Sequence, residues 1–340
     1  MVACIPEPLS ARLCSTSTTD PALLSVPSMQ SFHLTLANKS TVQGAHTIAT
    51  QPPSPVVHRP LVVALHGGCY DHQYFDALPG YSASLLSNAL GAPFVTIDRP
   101  SYGGTSSILP IPSGSDFTTE SAIQLHQFIL PKLWTEFGVP HSCTCIVLLC
   151  HSLGVMPGIA VAGLHAHDET PIYPLGGLIA SGMGDTLSTS PRGKLPPYPR
   201  VDDHHARCPI GPKDAVMLNP GTYAPEMLGQ SERLNAICPI PEVAGFTTQW
   251  MPLWKEKWAP AVKVPVMYSL VEDDPFFEAT QEEIDRCVRA FTNSIRVEGS
   301  LIRGAPHCVE LSYWAQGWYA RCFGFALECA ASFAVAGPNL

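Results

Sequence analysis

Strand-length, largely apolar runs recur along the chain: Leu61–Leu65, Pro93–Ile97, a run beginning at Ile146, Leu175–Ala180 and Val264–Leu270. Unbroken apolarity over so few residues reads as strands covered on both faces. Between them, Tyr74–Ala89 and Thr118–Phe137 have helical spacing, and the second places Ile123, Leu125, Phe128, Ile129 and Leu133 on one side. Phe277–Phe291 also reads as helix and Ser294–Glu298 as a short strand. Ser312–Ala334 reads as an apolar, aromatic helix that packs on the sheet. Earlier, Phe32-His-Leu34-Thr-Leu36 alternates, breaks at Asn38-Lys-Ser and resumes, which predicts an antiparallel hairpin at a sheet edge. Residues 1–28, rich in Ser, Thr and Pro, are expected to form a poorly ordered lead-in or a surface strap, and 51–60 a proline-rich link.

From about 186 to 260 the texture changes to many prolines without strand alternation. This predicts a lid or cap inserted into a core made of 29–185 and 261–340, because active-site covers are built as loops and short helices on a rigid sheet. Trp250, Trp254 and Trp258 recur every four residues and would share a helix face, with Pro252 in its first turn or kinking it. Such a stripe is either packing or a substrate wall, and Trp250 and Trp254 are the candidate substrate-binding residues. Asp202, Asp203, His204 and His205 are metal-ligand types, but adjacent side chains diverge and no partner cluster has ligand spacing, so no metal is expected.

The chain has 340 residues, of which 46% are hydrophobic and 14% charged, enough for one large domain with an insertion. Its net charge of -9 disfavours nucleic acid and anionic membranes as partners. Twelve cysteines are scattered from Cys4 to Cys329, several inside apolar runs where a free thiol acts as a small hydrophobe. This predicts reduced thiols and a cytoplasmic protein. Cys143-Thr-Cys145 has neither redox nor zinc spacing and reads as packing at a strand start. The first thirty residues show no secretory signal, no apolar stretch reads as long and unbroken enough to span a bilayer, and the final Gly-Pro-Asn-Leu matches no targeting address.

The run at Ile146 ends abruptly in Cys150-His151-Ser152-Leu153-Gly154, with helix-compatible sequence after it and Pro157 early in that helix. A strand turning straight into a helix lifts the turn residue clear of the sheet and requires small neighbours two positions either side. The plainer reading makes Ser152 a helix N-cap. The segment resembles the nucleophile elbow of the α/β-hydrolase fold, with Cys150 where the usual G-x-S-x-G has its first glycine. His66-Gly67-Gly68-Cys69 likewise resembles the oxyanion loop of that fold. The resemblance assigns one oxyanion N–H to Gly68 or Cys69 and the second to Leu153. Asp98-Arg-Pro-Ser-Tyr-Gly103-Gly-Thr-Ser106 resembles the turn after the fourth strand in many members, where Asp98 and the glycines would tie down the loop.

Three signals then follow in family order: Ser152, Asp274 in Val271-Glu-Asp-Asp274-Pro275, and His307 in Gly304-Ala-Pro-His307. A serine hydroxyl needs an imidazole to take its proton, and the imidazole needs a carboxylate to fix its tautomer. Asp185, closing an earlier strand, is the alternative acid. The resemblance covers 60–182 and 262–335, and within the fold it looks most like the esterase/lipase-like hydrolases of fungal secondary-metabolite pathways. It implies an α/β fold with a mostly parallel sheet flanked by helices. It also implies a serine hydrolase acting on an ester, thioester or lactone of an apolar small molecule, without a cofactor. Acyl transfer, cyclisation or condensation on the same site, or a silent ligand-binding member, are the alternatives.

Overall fold

The apolar runs form the middle of one eight-stranded sheet in the computed structural model, which describes residues 29–48 and 56–337. The expected lead-in and part of the proline-rich link lie outside these residues. The strands are β1 (Gln30–Thr35), β2 (Thr41–Thr47), β3 (Pro60–Leu65), β4 (Phe94–Ile97), β5 (Cys145–His151), β6 (Leu175–Ser181), β7 (Val266–Asp273) and β8 (Val297–Pro306). Their order across the sheet is β1-β2-β4-β3-β5-β6-β7-β8. The β1–β2 hairpin is antiparallel and sits at the edge, β2 pairs antiparallel with β4, and every pairing beyond is parallel.

The two faces of the sheet feed two cores, as the two-residue period of a strand requires. Leu61, Val63, Leu65, Ile146, Leu148 and Cys150 face one core, together with Leu125, Ile129 and Leu133 of the 117–138 helix and Ile159 of Val155–His165. Val62, Ala64, Val147 and Leu149 face the other, against Trp318, Tyr319, Cys322 and Phe323 of the helix Ala315–Ala336. Each fully buried valine, leucine, isoleucine or phenylalanine among them contributes about 1.5–3 kcal/mol. By length and composition Ala315–Ala336 is apolar enough to cross a membrane, contrary to the expectation that no segment would be; here its aromatic face is spent on the sheet, as expected of the tail.

Local chemistry accounts for the departures from the predicted helices. In place of one helix over 74–89 there are tight turns at His72–Asp76 and Pro79–Tyr81 and a short helix at Ser84–Leu90, because Pro79-Gly80 interrupts the helical ladder. The 117–138 helix is continuous but widens twice; the Leu130 N–H reaches back five residues to Leu125 O, immediately before Pro131, which has no N–H to donate. The ten described cysteines are all free. Cys145 fills space left by Gly176, whose Cβ would come within 2.2 Å of its sulfur.

Between β6 and β7 the chain makes a long excursion built from the helices Ile210–Met217 and Ile240–Gly245, shorter turns, and a two-residue ladder of His205–Ala206 with Cys238–Pro239. After Gly245 the helix continues in widened turns that carry Trp250 and Trp254.

Candidate active site

Ser152 stands immediately after β5 with a φ of 51°. A left-handed conformation costs a residue with a side chain about 1–2 kcal/mol, so the surroundings must enforce it. They do so by close packing. A Cβ on Gly154 would lie 2.5 Å from Leu65 O and 2.6 Å from His66 O, and one on Gly158 would lie 2.4 Å from Cys150 Sγ. The missing side chain at 158 therefore makes room for the cysteine at 150. Ser152 does not serve as an N-cap, since the residue before the turn is His151 and no side chain caps it.

The Ser152 hydroxyl is instead 3.0 Å from His307 Nε2, and His307 Nδ1 is 2.8 Å from Asp274 Oδ2. The other Asp274 oxygen accepts from the N–H groups of Phe276 at 2.9 Å and Phe277 at 3.3 Å, which fixes the carboxylate. Because a carboxylate only accepts, this network assigns the His307 proton to Nδ1 and leaves a lone pair at Nε2 facing Ser152. Both side chains are buried, and Phe276 presents its ring edge-on to the imidazole at 4.8 Å. The neighbouring carboxylates are engaged elsewhere. Glu272 pairs with Arg303, Asp273 with Arg192, and Asp185 with Lys255 at 2.6 Å.

The loop after β3 lies beside the elbow because Leu65 pairs with Cys150 in parallel register. A Cβ on Gly67 would meet the Ser152 Cβ at 3.0 Å, and one on Gly68 would meet Leu153 Cδ1 at 2.6 Å, so a side chain at either position would crowd the elbow. Cys69 has a φ of 61°. A hydrogen bond with Cys208 favours its thiolate, but the bond with Cys238 and burial outweigh it and push the thiol up to about 12, so it offers no rival nucleophile. Gly68, Cys69, Ser152 and Leu153 share one cavity of about 310 Å³ with apolar residues such as Met183, Leu195, Val243 and Phe246. Lys194 is the one charged side chain among the lining residues.

Trp250 and Trp254 do not line this cavity, which corrects the expectation of a substrate wall. Both rings are buried in the core. Trp254 stacks on Trp250 at 6.1 Å and on Tyr268 of β7 at 6.4 Å, and its indole N–H donates to Asp185 Oδ1 at 3.1 Å. The apolar faces of Trp250 and Trp254 are spent on the core rather than on a ligand.

Two buried groups beside the catalytic candidates carried no sequence signal. The His151 ring lies 5.1 Å from that of His307 and stacks on Tyr74 at 5.2 Å, and its Nδ1 is 3.1 Å from Ser181 Oγ. Glu310 accepts from Tyr74 at 2.7 Å and from Trp318 at 2.9 Å. Burial holds the His151 pKa well below the ordinary range and raises that of Glu310. Only the spacing of Glu310 three residues after His307 hints at its place.

Among the described residues, Asp71, His72 and Asp98 bring ligand-type atoms together. Both carboxylates have structural partners: Asp98 accepts from His72 N at 2.9 Å, His72 Nδ1 at 2.7 Å and Gly104 N at 2.9 Å, while Asp71 caps the next turn through Gln73 N. Asp98 therefore ties down its loop. Asp202 accepts from the N–H groups of His204 and His205, both at 2.7 Å, which makes that exposed quartet a local turn.

The sequence model of the Alpha/beta hydrolase family matches residues 62–317. No curated protein matches by sequence. Among solved structures, a carboxyl esterase from Bacillus coagulans is similar with a TM-score of 0.61 at 16% identity, covering 89% of this chain and 99% of that one. The monoglyceride lipase of Saccharomyces cerevisiae gives 0.60 at 15% identity, covering 90% and 95%. A thioesterase domain from the curacin biosynthetic pathway gives 0.52 at 13% identity, covering 87% and 98%. At these identities the likeness is one of fold. With its parallel sheet, the turn at Ser152 and the family match over most of its length, this chain belongs to the alpha/beta hydrolase family.

Proposed function

We propose that the protein is a serine hydrolase that cleaves an ester, thioester or lactone of an apolar small molecule. The observation that carries this reading is the continuous chain from Ser152 Oγ through His307 to Asp274, at 3.0 Å and 2.8 Å. His307 takes the proton from Ser152 as the hydroxyl attacks the substrate carbonyl. Asp274 holds the imidazole in the required tautomer and stabilises its cation. The backbone N–H groups of Leu153 and of Gly68 or Cys69 receive the developing oxyanion. His307 then gives its proton to the leaving group, and water, activated by the same imidazole, releases the acyl group from Ser152.

The substrate class is read from the walls. A cavity lined by leucines, methionines and phenylalanines with one ammonium favours an apolar acyl or alcohol portion. The esterase, lipase and thioesterase names of the similar structures support the same bond types. The wording of the oxyanion loop and the Asp98 turn favours an apolar secondary metabolite as the natural ligand. Residues 186–260 act as the lid over this cavity, since Leu187, Leu195, Val243 and Phe246 all line it with Ser152.

The test is exposure to a fluorophosphonate and to a short-chain aryl ester, with mass spectrometry of the labelled peptide. The expected result is one adduct on Ser152 and ester hydrolysis, both lost in Ser152→Ala with the fold intact. Full activity in that variant overturns the reading.

A further inference from the structure

Three carbonyl groups of the loop His66–Cys69 are held from outside it, by Arg99 in the turn after β4 and by the excursion between β6 and β7. Arg99 Nε donates to His66 O at 2.7 Å and Nη2 to Gly67 O at 3.4 Å. Lys213 Nζ and the Ala236 N–H, both from the excursion, donate to Cys69 O at 3.3 Å and 3.1 Å. His66 joins in: its Nε2 accepts from the Arg99 N–H at 3.2 Å, so its Nδ1 carries the proton donated to Gly67 O at 2.7 Å.

Arg99 is fully buried and its other N–H groups converge on a single carboxylate, Glu242, in the helix Ile240–Gly245. Nη1 donates to Oε1 and Nη2 to Oε2 at 3.2 Å, while the Tyr102 hydroxyl donates to Oε2 and its ring lies 4.5 Å beneath the guanidinium. Glu242 is 2% exposed, so this is a dry, fully hydrogen-bonded ion pair. A buried guanidinium without its counter-charge is strongly unfavourable, and the arginine would draw water or move.

A trans peptide points its N–H opposite to its C=O. Whatever holds the His66 and Gly67 carbonyls therefore also aims the N–H groups of Gly67 and Gly68. We propose that Arg99 and Glu242 are positioning residues for the oxyanion site: Glu242 fixes Arg99, and Arg99 clamps the two peptides that set the direction of the Gly68 N–H. The site is then complete only while the Ile240–Gly245 segment is seated on the core. This rests on the assignment of Gly68, rather than Cys69, as the oxyanion donor of this loop, because the Cys69 N–H belongs to the peptide of the Gly68 carbonyl, to which Arg99 does not donate. The roles differ from those of Ser152 and His307, since neither Arg99 nor Glu242 touches the reacting atoms.

A purely stabilising pair would behave differently, and the experiment separates the two. Wild type, Glu242→Gln and the double variant Arg99→Met with Glu242→Leu are compared for Tm and for kcat and KM on a short aryl ester. Active sites are counted by phosphonate adduct on Ser152. Replacing a buried ion pair by apolar residues of similar volume is often neutral in stability. The double variant removes both buried charges but leaves the His66 carbonyl and the Tyr102 hydroxyl unpaired, so it should regain part of the Tm lost in Glu242→Gln, yet keep a kcat per labelled serine at least about tenfold below wild type, with KM little changed, because a misaimed donor is lost only to the transition state. Its pH profile should match wild type, since the relay is untouched. Native kcat per labelled serine in the double variant overturns the positioning role while leaving the hydrolase reading in place. If that variant does not fold, Glu242→Gln alone decides by the same ratio, a native value again overturning the role. A wild-type chain that takes no label and hydrolyses no ester overturns both.

Discussion

Cys150 and Gly158 occupy one shared space, since a Cβ at 158 would come within 2.4 Å of the Cys150 sulfur. The thiol is buried under the turn that holds Ser152. Cys150→Gly leaves a small gap and should retain activity within a few-fold of wild type. Cys150→Leu pushes against the helix after the elbow and should cost about 1–3 kcal/mol and most of the activity. Gly158→Ala should fail in the same direction. Ester turnover and Tm of the three variants check this; equal activity in the glycine and leucine variants would mean that the turn at Ser152 does not depend on this packing.

The buried histidines predict an acid-side loss of stability. His66 and His151 both have pKa values well below the ordinary 6.5, chiefly through burial, with Arg99 adding to the effect for His66 and His307 for His151. The unfolded chain takes up protons below 6.5 that the folded chain refuses, so their contribution is full above that pH and is lost as pH falls. The slope is about 1.4 kcal/mol per pH unit for each. Urea denaturation at pH 7 and pH 5 should show the drop, and His151→Gln should shrink the difference between the two pH values by about 1–2 kcal/mol. An unchanged difference would mean that His151 is not held neutral. Glu310 works the other way: its raised pKa means that stability falls as pH climbs from 4.5 towards its folded value.

These contrasts show which parts of the molecule the sequence declares. Leu61–Leu65 and the run at Ile146 were legible as strands because sheets covered on both faces need unbroken apolarity; Ser152 and Asp274 stand directly after two such strands, whereas His307 follows the partly exposed edge strand β8. Trp250 and Trp254 were not legible, because a four-residue period says that two rings share a face but not what the face meets. Arg99 and Glu242 are 143 residues apart, and nothing local to either announces the other. The helix Ala315–Ala336 has the composition of a membrane span, and only its contacts with the sheet say how that apolar surface is used.

Chelation should leave activity unchanged. The oxygens of Asp98 accept from His72 and Gly104, and Asp202 accepts from the N–H groups of its own turn, so both carboxylates already have structural partners. Ester turnover before and after EDTA is the measurement. Loss that zinc restores would reassign one of these clusters.

The acid of the relay is the most exacting choice, because Glu272, Asp273 and Asp274 are consecutive and Asp185 lies nearby in the fold. Only Asp274 is buried against His307, at 2.8 Å, and its second oxygen is pinned by two backbone N–H groups. Asp274→Asn keeps the shape but presents an amide that no longer favours the Nδ1 proton or the imidazolium, and kcat should fall by about 10³–10⁴-fold with Tm little changed. Asp273→Asn loses an exposed pair with Arg192. Asp185→Asn loses the pair with Lys255 and weakens the bond from Trp254. Both concern stability, by about 1 kcal/mol or less for the exposed Asp273 pair and about 1–3 kcal/mol for the mostly buried Asp185, and turnover should stay near wild type. If Asp185→Asn is instead the variant that loses turnover while Asp274→Asn keeps it, the acid of the relay is Asp185, and Asp274 serves only to hold the turn before Phe276 and Phe277.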